Sequence, residues 1–169
     1  MALAFKEWEY IVNALGKGKQ SIILRKGGIA EEQGDFDVRG KEFILFPTLF
    51  HQAHEMIKPK WLPFLTQPTY HQNQKVRIKY FAKVVDAQVI TDWEVVMRLS
   101  EHHAWETKVI EERFNRWDKK IQLLIVQVFE FGAAFDIEML PAYDGCKSWI
   151  DIDASVDFIG RPIVNSSII

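Results

Sequence analysis

The residues best suited to chemistry lie on one predicted strand, Lys75-Val-Arg-Ile-Lys-Tyr-Phe-Ala-Lys83. Side chains of a strand alternate, so Lys75, Arg77, Lys79 and Lys83 are expected on one face with Phe81, and Val76, Ile78, Tyr80, Ala82 and Val84 on the other. Like charges about 7 Å apart repel, so such a row needs anions beside it. A phosphate backbone would supply them. The preceding loop adds Trp61, Tyr70 and His71 as stacking platforms, and single-strand binders combine cations with aromatics in this way. Acidic neighbours would serve equally well. Asp35 and Asp37 share one face of their predicted strand, as do Asp151 and Asp153, and either strand beside the cationic row would give ordinary cross-strand ion pairs.

A second anion-binding candidate is Arg25-Lys26-Gly27-Gly28, where two cations at a strand end precede glycines with accessible backbone N–H groups. An ordinary glycine turn has the same spelling. His51 and His54 fall at i,i+3 with Glu55 adjacent, and His102 and His103 could complete a divalent site, but no third ligand is identified. No metal or cofactor is therefore assigned. Cys146 has Lys147 beside it, and a buried structural thiol is its default role. No catalytic residue can be named.

These groups must be positioned by regular elements. Ala4, Trp8, Ile11 and Leu15 repeat at 4-3-4 spacing and predict a first helix, with Lys6, Glu7, Glu9 and Asn13 facing away from its apolar stripe. Strands are expected over 21–26, 35–39 and 42–46, then a helix over 49–58. The stretch 58–74 carries Pro59, Pro63 and Pro68 and is expected to be irregular. A long strand follows over 75–90. Thr91-Asp-Trp-Glu94 opens a helix as a capping box, and Thr107 opens another. Strands over 121–131, 135–140 and 149–153 complete one domain over 1–153, with a C-terminal tail over 154–169. Strands come in runs, so the expected class is α+β, with a mixed, mainly antiparallel sheet carrying helical insertions and able to curl into a PUA-like barrel.

Composition limits the function. With 169 residues, 48% of them hydrophobic and 13% aromatic, the chain can form a full core without staples. One cysteine fits a reducing cytoplasm, and the absence of a long apolar run argues against a membrane span. The net charge of −2 excludes a generally basic nucleic-acid binder. Its distribution is uneven, however: six cations and no acid between Met56 and Val85, and seven acids against Lys147 alone between Glu130 and Asp157.

Five stretches together resemble the bacterial family known as domain of unknown function 1802. They are Lys6-Glu7-Trp8, Ile23-Leu-Arg-Lys-Gly-Gly-Ile29, Phe46-Pro-Thr48 with His51-Gln52, His103-x-Trp105, and Gly145-Cys-Lys-Ser-Trp149. The resemblance brings no established activity with it. It draws attention to Arg25, Lys26, His51, Gln52, His103, Trp105, Lys147 and Trp149 as motif positions, and an association of some members with restriction-endonuclease-like regions implies work near DNA restriction or repair. The expected function is thus a nucleic-acid-binding or accessory module in the cytoplasm, using Arg25, Lys26, Trp61, Tyr70, Lys75, Arg77, Lys79 and Lys83. The rival is a small metal- or thiol-dependent enzyme. Oligomeric state is not legible.

Overall fold

Two long strands dominate the computed structural model, which describes residues 1–26, 39–49, 54–65 and 70–166. The first helix begins later than its periodicity predicts: Ala2–Trp8 is strand β1, and α1 spans only Glu9–Gly16. β1 lies between β3 (Glu42–Thr48), which is parallel to it, and β7 (Trp149–Ile152), which is antiparallel. Both of its faces are covered, Phe5 entering one core and Ala2 and Ala4 another. A strand buried on both sides loses its period-2 signature, so Ala4 and Trp8 could extend a helical stripe that starts only at Tyr10.

β2 (Ile22–Arg25), β5 (Lys75–Ile90) and β6 (Ile121–Glu138) complete the main path, whose order is β2-β6-β5-β3-β1-β7. Every pairing on it except β1 with β3 is antiparallel. The short β4 (His71–Gln72) joins β5 through Asn73 and Gln74, whose φ values of 50° and 61° suit the primed turn that a two-residue hairpin loop favours. β6 is one strand of 18 residues where two were expected. Between β5 and β6 stand α2 (Trp93–Arg98), capped by Asp92 rather than Thr91, and α3 (Thr107–Asn115). Within the expected 49–58 helix, His54–Met56 is a single 3₁₀ turn and Ile57 bridges to Trp105. The expected strand over 35–39 lies almost wholly outside the described residues. The class is α+β with a mixed, mostly antiparallel sheet, as the sequence implies. No helix is long and apolar enough to cross a membrane among the described residues.

The sheet is strongly curled. β2 and β1 are four steps apart in strand order, roughly 19 Å in a flat sheet. Yet the Arg25 guanidinium at the end of β2 reaches the Lys6 carbonyl on β1 at 3.4 Å and the Ser148 hydroxyl beside β7 at 3.3 Å. Two register shifts between β5 and β6, at Ile78/Tyr80 and Val84/Asp86, supply bends of the kind that increase twist and close sheets. The edge strands β2 and β7 do not pair, so the barrel keeps an open seam spanned by side chains.

One core fills the inside of the curl, with Phe5, Phe43, Trp61, Trp105 and Trp149 among its members. A second lies on the outer face and centres on Phe81, whose ring meets Phe129 at 4.9 Å, Phe131 at 4.7 Å and Phe158 at 5.5 Å. The segment after Ala154 covers this face: Val156 and Phe158 pack on it and β8 (Gly160–Pro162) pairs with β6. Truncating Phe81 to Ala is expected to cost about 3–5 kcal/mol. Urea unfolding would measure it, and a loss below about 1 kcal/mol would mean that the outer core contributes little.

Candidate functional site

The seam gathers the carboxyl-terminal ends of β1, β2 and β3 and the start of β7. Glu7, the penultimate residue of β1, is 1% exposed, and its side chain is completely covered. Its Oε1 accepts a hydrogen bond from the Trp8 N–H at 2.9 Å and lies 3.5 Å from Arg25 Nη1. Its Oε2 is buried with no hydrogen-bond partner. Arg25 also sits over the Phe5 ring at 5.3 Å. A second guanidinium, Arg113 from α3, donates to the Leu24 carbonyl at 2.9 Å and lies over the Trp105 indole at 4.2 Å. The indole in turn meets Trp8 edge-on at 5.0 Å. Burial pushes Arg113 down to about 10, Arg25 adds to that push, and Glu7 opposes it. Arg25 thus pairs with Glu7, and Arg113 is near enough for both charges to act on it.

Lys6 extends the positive character. Its ammonium donates to the Tyr143 carbonyl at 2.6 Å and the Gly145 carbonyl at 2.7 Å, fixing the loop that carries Cys146 and Lys147. Burial lowers its pKa, Asp144 and Cys146 oppose the shift, and Arg25 and Lys147 reinforce it. Cys146 and Lys147 are exposed and Ser148 is buried. Of the motif positions, Arg25, Trp105 and Trp149 lie here, Trp149 by packing on Phe5 at 4.9 Å and Phe43 at 5.0 Å, while Lys147 is exposed on the loop that Lys6 holds. His51 and Gln52 lie outside the described residues. Sequence reasoning missed Glu7 and Arg113. The helical periodicity puts Glu7 on a solvent side, whereas Lys6, Glu7 and Asn13 are all buried. The Lys6-Glu7-Trp8 stretch of the family resemblance points to Glu7, and no motif stretch contains Arg113.

The cationic row of β5 is arranged differently from its alternation. Val76 and Ile78 share the outer core with Phe81, while Ala82 belongs to the inner core and Tyr80 and Val84 pack against it. The register shift after Ile78 reverses the alternation, so Lys83 comes onto the face opposite Lys75 and Arg77. Acids lie beside most of the row. Arg77 forms a two-pronged pair with Asp136 at 2.9 and 3.1 Å, Lys83 is 3.2 Å from Glu42, and Lys75 stands opposite Glu138. Lys79 lies 5.8 Å from the Tyr70 ring centre. The uneven charge of the sequence is thus largely cross-strand pairing: the basic start of β5 meets the acidic end of β6. A cleft of about 280 Å³ remains here, lined by Tyr70, Gln72, Asn73, Lys75, Arg77 and Asp136.

Trp61 and Tyr70 are 0% and 2% exposed, so neither presents a ring face to solvent, and the Tyr70 hydroxyl donates to Asn13 at 2.7 Å. The Lys26 ammonium is drawn inward. It donates to the Asp118 and Lys120 carbonyls at 2.7 and 2.8 Å and pairs with the Asp118 carboxylate, tying the turn after α3 to β2. That turn holds Trp117 at a φ of 63° with its side chain in solvent. His54 pairs with the Tyr10 hydroxyl at 2.9 Å and His71 with the Pro47 carbonyl at 2.8 Å. No cluster of three His, Cys, Asp or Glu side chains suited to a metal occurs among the described residues.

A family model described as "Domain of unknown function (DUF1802)" matches residues 4–168. No curated protein sequence matches the chain significantly. Among solved structures, a crystal structure of a mutant ZmASCH protein from Zymomonas mobilis is similar, with a TM-score of 0.52 and 8% identity over 89% of this chain and 87% of that one. Crystal structures of ASCH from the same organism and of another ZmASCH mutant give TM-scores of 0.45 and 0.43, at 10% and 11% identity. Each covers 73% of this chain, and 65% and 67% of its own. At such identities the likeness of the first is one of fold alone, a curled PUA-like sheet.

His103, two residues before Trp105, is 2% exposed, with Nδ1 unpartnered. Burial pushes its pKa down to about 3, and the charges of Lys58, Arg113 and His102 add to the shift. Lys58, itself lowered to about 8 by burial, donates to the His103 carbonyl at 3.0 Å. Below pH 6.5 the unfolded chain binds a proton at His103 that the folded chain refuses until about pH 3. Folded stability should therefore fall as pH drops through that window, by about 1.4 kcal/mol per pH unit for this proton. Melting curves between those limits should show His103→Gln with a slope shallower by one proton. Equal slopes would mean that other groups govern acid sensitivity.

Proposed function

The chain belongs to the family described as a domain of unknown function, DUF1802, and we propose that it is a nucleic-acid-binding module that grips phosphate at the seam, with Arg25 as the leading contact. The observation that carries this reading is the imbalance of charge there. Among the described residues, Glu7 is the one carboxylate within 4 Å of Arg25, at 3.5 Å, and Arg113 is near enough for both charges to act on it. An incompletely neutralised, partly covered guanidinium attracts a phosphate more strongly than an exposed pair does. The β5 row supports the reading less well, because Arg77 and Lys83 already hold acids. Lys75 and Lys79, beside the 280 Å³ cleft, are secondary contacts. A curled PUA-like sheet is compatible with such a ligand. An accessory role beside DNA restriction or repair follows if DNA is the preferred nucleic acid.

Fluorescence anisotropy with labelled single- and double-stranded DNA and RNA, over a series of salt concentrations, tests the proposal. Binding should weaken with salt at a slope of about −0.7 to −0.9 per phosphate held. Arg25→Glu should abolish it while the fold, followed by circular dichroism, persists. Arg77→Glu should change affinity by less than about threefold, since its charge is already balanced. If Arg77→Glu abolishes binding and Arg25→Glu does not, the contact is on β5 and the seam assignment fails. No binding to any of the four at low salt would sink the reading entirely.

A further inference from the structure

We propose that the seam selects a phosphate monoester, the phosphorylated end of a strand or a free nucleotide, over an internal phosphodiester. This inference rests on the phosphate-binding reading above and adds the identity of the phosphate. A site that follows a backbone presents cations in a row, and the row on β5 is divided between two faces and faced by acids. The cations at the seam instead converge. Arg25 lies 3.5 Å from Glu7, and Arg113, which donates to the carbonyl of the preceding Leu24, is near enough for both charges to act on it. Convergence on one point suits a single compact anion.

Glu7 supplies the discrimination. Its Oε2 is an acceptor, buried and without a hydrogen-bond partner, on a carboxylate whose Oε1 lies 3.5 Å from Arg25. A buried acceptor left unpaired is costly, so a ligand that brings an O–H to it is favoured. A phosphate monoester has its second pKa near 6 and, as the monoanion, carries both a P–OH and charged oxygens. The P–OH can donate to Glu7 while the charged oxygens accept from Arg25 and Arg113. A phosphodiester has no P–OH, and a fully ionised monoester or a sulfate would set lone pairs against lone pairs. Arg25 can give way to such a ligand, because its three polar contacts, at 3.3, 3.4 and 3.5 Å, are all long.

The test compares one short oligonucleotide carrying a 5′-phosphate, a 3′-phosphate or only hydroxyl ends, with inorganic phosphate, sulfate and mononucleotides as competitors. A phosphorylated end should bind at least about tenfold tighter near pH 6, and the advantage should shrink toward pH 8 as the monoanion disappears. Phosphate should compete and sulfate should not. Glu7→Gln, which offers an N–H in place of the acceptor, should remove the pH trend. If that variant does not fold, the phosphate–sulfate comparison and the pH series on the unaltered protein still decide. Mononucleotides competing as well as the phosphorylated oligonucleotide would assign the site to free nucleotide, and weaker competition would assign it to strand ends; either supports the inference. Equal affinity for phosphorylated and hydroxyl ends, with Arg25→Glu still abolishing binding, overturns the inference and leaves the nucleic-acid reading standing. Arg25→Glu without effect overturns both.

Discussion

The long antiparallel pairing of β5 with β6, interrupted by two register shifts, is the constraint on which the rest of this architecture depends. β6 also carries β2 on its other edge at the amino-terminal end and β8 farther along, so any bend in it moves all three partners together. A straight ladder would leave β2 and β7 at opposite edges of an open sheet. The shifts bend the ladder, and sheet twist carries β2 round until Arg25 reaches β1. They also decide which side chains share a face. A single shift of register reverses every side chain beyond it, and that is why Lys83 parts company with Lys75 and Arg77.

Closure by side chains rather than by backbone bonds has a chemical consequence. A fully paired barrel would seal its edges with N–H···O=C bonds and leave no polar capacity there. Here the gap is bridged by a guanidinium, a carboxylate and a hydroxyl, groups whose charges and donors are incompletely matched. Buried charge of this kind is poor cement, because desolvation offsets most of the attraction. On the proposed reading, its place where strand ends and loops meet serves recognition rather than stability. The aromatic packing around it, Phe5 against Trp149 and Trp8 against Trp105, supplies the rigidity that the polar groups themselves lack.

Lys26 and Arg25 are neighbours in sequence with opposite fates. Alternation along the end of β2 directs Arg25 to the seam and Lys26 to the turn after α3, where carbonyls and Asp118 surround its ammonium. Composition marks both as cations at a strand end. Only the positions of β1 and α3 determine that one reaches a partly open site and the other is enclosed.

What the sequence by itself determined are the properties that depend on near neighbours along the chain: the long β5 signal, the glycine that ends α1, the helices opened near Asp92 and Thr107, the mainly antiparallel α+β class and a PUA-like curl. It also carried the uneven charge, which reflects the antiparallel pairing of β5 with β6, although the partners of the cations could not be read. Tertiary structure alone decided that Ala2–Trp8 is a strand, since burial on both faces erases the alternation by which strands are recognised. It alone brought Glu7, Arg25 and Arg113 together from three elements far apart in the chain, because no local pattern records which strand a curled sheet will bring beside another. Trp61 and Tyr70 show the same limit from the other side: an aromatic in a polar, proline-bearing stretch reads as exposed, and only the enclosing fold makes it core.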